Sequence, residues 1–224
     1  MCGRYLLVTP VGELVRMFGF EERVNLEPRW NVSPTQPAPV VALGKAGDRH
    51  LRLMRWGLHP SWKKGPPEGA PIINARVETA AEKPFFRVPI RRRRCLVPVN
   101  GWYEWLVEGK TRTPYLIRYA DEAPMVLGGV WDWWEGPDGA LESFAIVTRP
   151  AREELEGVHH RMPLVLPEAH WEDWLNRETP LEKVLDLAVE DFPLAFSITE
   201  VNRAVGNARL EGEALADVLF RVEG

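Results

Sequence analysis

Cysteine is scarce in this 224-residue chain: only Cys2 and Cys95 are present. Two cysteines exclude a disulfide framework and fit a reducing compartment, so a cytoplasmic location is expected. No apolar run reaches the ~18 residues a membrane helix needs, and the chain does not open on the charged-then-apolar pattern of a secretory signal. No membrane partner is therefore expected. Cys and His do not recur at metal-ligand spacing, so neither a metal nor another cofactor is expected. Gln occurs once, at Gln36, and Asn and Met are sparse. Sparing use of these thermolabile residues points toward a heat-adapted source. Internal repeats, low-complexity tracts and a Pro/Gly/Ser linker are all missing, which leads to the expectation of one domain over residues 1–224 and of a monomer.

What is present is an ordinary globular composition, 45% hydrophobic and 27% charged, with an unusual ten Trp. Trp serves cores, and it also serves as a platform for stacked bases. The formal net charge is −4, but it is unevenly placed. Residues 1–100 hold 17 Lys and Arg against 8 Asp and Glu, a net of +9, whereas residues 101–224 hold 11 against 24, a net of −13. Phosphate binding follows the local field rather than the total, so the first half would form an anion-binding face. An uneven scatter of solvated charge is the competing explanation.

Residues 3–8 read as a short strand and 11–20 as a helix entered at Thr9-Pro10. Four prolines make 28–39 an extended loop. Strands are expected at 39–43 and 51–56 around a turn at Gly44 to Asp48, then a Pro/Gly-rich loop at 60–70 and a short helix at 76–83. Strand-like runs follow at Cys95–Val99, Gly101–Val107, Tyr115–Tyr119, Met125–Trp133 and Ser143–Thr148, separated by turn signals that include Pro137-Asp138-Gly139. Residues 150–156 and 168–176 read as helices, 162–166 and 194–199 as strands, and 211–220 as a terminal helix. The pattern is that of an α+β fold: a curved antiparallel sheet or barrel with flanking helices.

Chemistry centres on Cys2. Removal of Met1 would leave a 1,2-aminothiol, whose amine condenses with an aldehyde and whose thiol then closes a five-membered thiazolidine. A cysteine at position 2 is equally an incidental residue near a chain end, but it is followed by Gly3 and Arg4. Gly3 permits close approach, and Arg4 suits a phosphate or a carboxylate. Asn74 can both donate and accept near a reacting centre, and Arg76 and Arg87 suit phosphates; a solvated helix face with an internal Glu–Arg pair accounts for the same run. Arg91 to Arg94 form a basic block that reads as surface charge, and Cys95 reads as a small buried hydrophobe. Glu104 lies among aromatics in Gly101-Trp102-Tyr103-Glu104-Trp105, where its charged form is disfavoured, unless it faces outward from a strand. His159 and His160 precede Arg161; a proton-shuttling His beside a phosphate-binding Arg fits better than a metal site.

In order along the chain, MCGRY at 1–5, RWNVSPTQ at 29–36, RWGLHPSW at 55–62, INARVETAAEKPFFR at 73–87, RRRRCLVPVNGWYEW at 91–105 and HHRMPLVL at 159–166 resemble the SRAP family, the SOS-response-associated peptidases also called abasic-site processing proteins. From about residue 177 onward the sequence departs from that pattern. The resemblance implies covalent capture of abasic sites in single-stranded DNA, with Cys2 as nucleophile and Asn74, Glu104 and His159 as further active-site residues. It places His160 on a variable position. It implies DNA contact by Arg4, Arg76, Arg87 and Arg161, and it puts Trp62 in a strand-wedging loop. Strand cleavage as a side reaction, and Met1 removal by the protein itself, belong to the same expectation.

Two other readings compete. An N-terminal-nucleophile amidohydrolase, such as a glutaminase, also matures to Cys followed by Gly, but it leaves the basic half and the His-x-Arg-Met-Pro run of residues 159–163 without a purpose. A non-catalytic single-stranded nucleic-acid-binding module explains the basic half and the Trp content, but gives Cys2, Glu104 and His159 no task.

Overall fold

In a computed structural model of the chain, residues 2–22, 24–137 and 139–221 are described. Met1 and Asp138, the latter part of the expected Pro-Asp-Gly turn, lie outside them. Twelve strands are found among the described residues: β1 Arg4–Leu7, β2 Arg29–Val32, β3 Pro37–Leu43, β4 Arg49–Trp56, β5 Asn74–Arg76, β6 Arg94–Val99, β7 Gly101–Glu108, β8 Thr111–Tyr119, β9 Met125–Gly136, β10 Gly139–Pro150, β11 Arg161–Pro163 and β12 Phe196–Glu200. The α-helices are α1 Val11–Phe18, α2 Val77–Ala80, α3 Pro89–Arg92, α4 Glu153–Glu156, α5 Trp171–Leu175, α6 Leu181–Val189 and α7 Glu213–Leu219.

The strands form two sheets. One has the order β12-β8-β7-β1-β2, antiparallel throughout. The other runs β11-β10-β4-β3-β6-β9, and β9 pairs back onto β10, so β10, β4, β3, β6 and β9 close into a five-stranded barrel. Closure removes exposed edges. The ring pair β4–β10 is parallel, and the others are antiparallel. The expected curved sheet or barrel with flanking helices is thus the fold found. Every residue of β6 is buried, as suits a strand covered on both faces.

The core joins the two sheets. Tyr5 of β1 and Trp56 of β4 lie with ring centroids 5.0 Å apart, and both are fully buried with Cys95 and Trp102. A smaller cluster covers the other face of the first sheet: Leu6, Tyr103 and Leu116 meet Val201, Val205, Leu215 and Leu219 of the tail. The departing C-terminal segment therefore supplies an apolar lid for the strand that follows Cys2.

Several departures from the sequence reading have local causes. The helix expected at 11–20 stops at Phe18 because Gly19, at φ 71°, turns left-handed and its N–H closes onto the Val15 carbonyl. The expected proline loop 28–39 holds β2 and the start of β3 instead. Pro37 pairs across from Arg55, but its carbonyl points away from β4 and accepts from the Arg29 side chain. Its missing N–H thus lies on the side that β6 does not reach, since β6 first pairs at Val41, and Pro39 follows the same two-residue alternation. Arg76, expected to open the helix of 76–83, instead ends β5, because β10 offers Asn74–Arg76 a parallel edge. At Gly101 an added Cβ would lie 2.9 Å from the Ile117 carbonyl and 2.8 Å from Leu116 Cδ1, so β7 can begin that close to β8 only without a side chain.

Candidate active site

β10 is long enough to serve four neighbours. β4 and then β5 run along one edge, while β9 and then β11 run along the other. Its C-terminal half is therefore flanked by Asn74 and Arg76 on β5 and by Arg161 on β11. β1 lies beside β7 in the other sheet, with Arg4 opposite Tyr103; one further step of that register puts Gly3 opposite Glu104. The chain end and the Asn-Gly-Trp-Tyr-Glu-Trp run are thus brought together by strand pairing.

Cys2 is fully buried, and the Asn74 Nδ2 amide donates to its carbonyl at 2.9 Å. Among the described residues, Asn74 Oδ1 is buried with no hydrogen-bond partner, leaving an acceptor within the same group. Burial pushes the Cys2 thiol well above its ordinary pKa, and the nearby Glu104 carboxylate pushes the same way. Glu104 is itself 2% exposed, and burial raises its carboxyl to about 7. A group at that value is both proton donor and acceptor near neutrality.

His159 stands just before β11. Its Nδ1 accepts from the Arg161 backbone N–H at 2.9 Å, which leaves the proton of the neutral ring on Nε2. Burial lowers its pKa to about 4, with the amino-terminal charge and His160 contributing, so the ring is neutral at pH 7. His160 stacks on His159 with centroids 4.4 Å apart and shapes that ring's surroundings.

The five residues expected at DNA fall into two groups. Arg161 is 9% exposed; its guanidinium forms a two-pronged pair with Glu78 and donates to the Thr148 carbonyl at 2.8 Å. Arg4 donates to Asn31 Oδ1 and the Val205 carbonyl, both at 2.8 Å, and to the Gly206 carbonyl at 3.2 Å. Both guanidinium groups are therefore held within the protein. Arg76 and Arg87, by contrast, are exposed, and strand alternation puts Arg76 on the same face of β5 as Asn74. Trp62 is 56% exposed and meets Phe85, two residues before Arg87, at 5.4 Å edge to face. The loop that carries it is pinned to β9: the Ser61 N–H and hydroxyl donate to Asp132 at 3.0 and 3.2 Å, and Trp134 Nε1 donates to the Lys63 carbonyl at 2.9 Å. A pinned loop presents its indole in a set place.

Three positioning residues escaped the sequence reading. Glu78 pairs with Arg161 across 83 residues rather than within its own helix, and so ties the turn after Asn74 to the strand after His159. Asn100 Oδ1 accepts from the Val8 N–H at 2.7 Å and from the Thr9 N–H and hydroxyl at 3.0 Å, fixing where β1 ends. Asn31 Nδ2 donates to the Asn207 and Leu210 carbonyls at 3.0 Å, fastening the tail. All three stand inside the family-like runs, Glu78 in 73–87, Asn31 in 29–36 and Asn100 in 91–105, which was the available signal; nothing in the sequence matched Glu78 to Arg161.

A closed barrel joined to a second sheet brings a buried Cys2 together with the Asn74 amide and the near-neutral Glu104 carboxyl. The chain belongs to the SRAP family: the model of the SOS response associated peptidases matches residues 1–208. It is 33% identical to the abasic site processing protein YedK of Escherichia coli over 226 residues, covering 96% of this chain and 98% of that one. It is also 33% identical to the abasic site processing protein YoqW of Bacillus subtilis, covering 79% and 80%. A crystal structure of a protein from Bacteroides thetaiotaomicron matches with a TM-score of 0.80 at 24% identity, over 91% of this chain and 93% of that one, and shows the same fold.

Proposed function

We propose that this chain, once Met1 is removed, captures the aldehyde of abasic sites in single-stranded DNA as a thiazolidine on Cys2. The observation that carries the reading is the setting of Cys2: an amide holding its carbonyl and a carboxyl of pKa about 7 acting on its thiol. The names of YedK and YoqW as abasic site processing proteins support the substrate class.

Loss of Met1 turns the Cys2 backbone nitrogen into an α-amine with an ordinary pKa of ~7.7–8.0, partly neutral at pH 7. The His159 Nε2–H donates to the deoxyribose ring oxygen and favours the open aldehyde. The amine attacks C1′, and Glu104 takes a proton from the nitrogen and returns one to the departing hydroxyl. Water leaves and an imine remains. The thiol then adds to the same carbon; a C–S bond forms, the thiol proton passes through Glu104 to the ring nitrogen, and the product is protein plus DNA less one water. Asn74 Oδ1 accepts from the amine and holds its lone pair toward C1′. If the imine persists, removal of a C2′ proton expels the 3′ phosphate, which is strand cleavage as a side reaction. Glu104 is also the base suited to self-removal of Met1.

Arg76 and Arg87 hold phosphates, and Trp62 offers a stacking surface. Arg4 and Arg161, engaged within the protein, hold β1 and His159 in place for them.

The test is intact mass before and after incubation with a single-stranded oligonucleotide carrying one abasic site. Loss of Met1 and a heat-stable adduct at the summed mass less one water are expected. A chain that has lost Met1 yet forms no adduct would refute the reading.

A further inference from the structure

The run Arg91 to Arg94 has no part in the Cys2 site. Arg94 is buried, and its guanidinium donates to the Trp174, Ile90, Arg91 and Asn176 carbonyls, so it belongs to the core. Arg93 pairs with Asp132 and lies over the Trp133 ring at 4.1 Å. Arg91 and Arg92 are exposed; Arg92 has only a distant, solvent-exposed carboxylate at 3.9 Å, that of Glu178. Such a pair contributes little to folding.

These side chains line a groove. Two cavities of about 590 and 240 Å³ share Arg92 and Arg177. Along them, Lys45, Arg52, Arg91, Arg92, Arg93 and Arg177 stand against only Glu135, Glu142 and Glu178. With Asp132, the partner of Arg93, counted as well, six cations stand against four carboxylates in a chain of net charge −4, and the excess marks the groove for an anion. Its floor includes Trp133, 40% exposed, with Arg93 stacked on it. Along β10 the groove is offset from the Cys2 site: Trp133 pairs opposite Glu142, four residues before Ile146, the partner of Asn74, or about 13 Å along the strand.

We propose that this groove is a second binding site for single-stranded nucleic acid, with a base stacked on Trp133 and phosphates on Arg91 and Arg92. A base on the part of the Trp133 ring that Arg93 leaves exposed, with flanking phosphates on the unspent Arg91 and Arg92, uses both features, whereas an acidic polypeptide would use the cations alone. From the function proposed above this takes only that the chain meets DNA. DNA bridging both sites would be held on either side of a lesion.

The experiment uses an undamaged single strand of about 20 nucleotides, long enough to exceed one compact binding site. Its affinity is measured against salt for the natural chain, for Arg91→Ala/Arg92→Ala and for Trp133→Ala, after melting curves show all three folded. The double variant is expected to lower the salt slope by about 1.4, and Trp133→Ala to weaken binding about tenfold. The yield of heat-stable adduct with a saturating short abasic oligonucleotide should not change in either variant. A natural slope and affinity in the double variant overturns the proposal. So does displacement of the DNA by polyglutamate with equal strength in the natural chain and in Trp133→Ala. Absence of any adduct in the natural chain would count against Cys2 capture alone, because the groove is read on intact DNA.

Discussion

Replacing Glu104 by Gln should make the protein more stable and less active, with the stability gain set by pH. Burial holds the Glu104 carboxyl at about 7 rather than its ordinary 4.5. The folded chain therefore binds this proton more tightly than the unfolded chain. The contribution of the group is fully present below pH 4.5 and is lost as pH rises through about 7. At 1.36 kcal/mol per tenfold change, ionising it inside the fold costs about 3 kcal/mol by pH 8. Gln has nearly the same shape and no charge to desolvate. Its amide introduces a pH-independent offset, so the informative quantity is how the difference in melting temperature changes with pH. Relative to the difference at pH 4.5, Glu104→Gln should gain about 6–12 °C at pH 8, taking ~2–4 °C per kcal/mol for a chain of this size. Titrating groups that do not interact with Glu104 cancel in the comparison, and the Cys2 thiol, which does, titrates above this range. Over the same range, thiazolidine formation in the variant should fall by about 10²–10⁴, the usual worth of a general acid–base group. Thermal melts at several pH values, paired with adduct yield over time, measure both. A melting difference that stays flat between pH 4.5 and 8, or one that turns against Gln, would refute the account of Glu104 as a carboxyl held back from ionisation.

Other perturbations separate the remaining roles. Cys2→Ser keeps the α-amine and loses the sulfur, so the heat-stable adduct should vanish while an imine trapped by borohydride persists; a heat-stable adduct in that variant without borohydride would remove the thiol from the chemistry. Since His159 stays neutral down to about 4, the pH–rate profile should carry the inflection of the Cys2 α-amine at ~7.7–8.0 and a second one near 7 that disappears in Glu104→Gln; an inflection near 7 that survives there and disappears in His159→Ala would reverse the assignment. Arg76→Ala should weaken binding alike across sequences and reduce the salt slope by about 0.7, and a sequence-selective loss would contradict a phosphate contact. Arg94→Ala deprives two buried carbonyls, of Trp174 and Ile90, and two part-buried ones, of Arg91 and Asn176, of their donor and should cost about 3 kcal/mol in a denaturant titration, without lowering the final adduct yield of the folded protein.

The fold was legible where a strand's neighbours leave a mark on its own residues. The apolar run Cys95–Val99 announces a doubly covered strand, and the spacing of Leu14 and Phe18 marks the buried face of α1, although not its stop at Gly19. It was illegible where pairing depends on a partner far away. Asn74–Arg76 carries no strand pattern of its own and is a strand because β10 supplies an edge. Pro37 and Pro39 read as loop because sequence does not disclose which side of β3 lacks a neighbour. Of the candidate site, residue types and order were visible, and the local environments of Cys2, Glu104 and His159 were partly so. The fate of the arginines was not. Within Arg91 to Arg94 one side chain is core, one is paired and two face solvent, and a block of identical letters holds no signal for that division. Arg161, expected at a phosphate, also closes a pair with Glu78 across 83 residues, a partner that its own run does not disclose.

The state of the thiol decides the order of events in the proposed capture. An isolated reactive cysteine gains speed from a lowered pKa, which burial and a neighbouring carboxylate here oppose. A neutral thiol attacks a free aldehyde poorly, and the hemithioacetal it would form reverts. The α-amine has no such handicap, because its ordinary pKa leaves a neutral fraction at pH 7. Amine attack therefore comes first, and it changes what the thiol meets: an imine carbon, more electrophilic once its nitrogen is protonated, with Glu104 in place to take the sulfur's proton as the C–S bond forms. The same burial that slows the thiol toward other electrophiles keeps it from oxidation and stray alkylation until an imine is present. On this reasoning a small aldehyde probe should label Cys2 through its amine faster than a thiol-directed alkylating agent labels its sulfur, and Glu104→Gln should slow ring closure more than imine formation. Rapid alkylation of Cys2 in the folded, Met1-free protein at pH 7 would show a thiolate already formed and would put sulfur, not nitrogen, first.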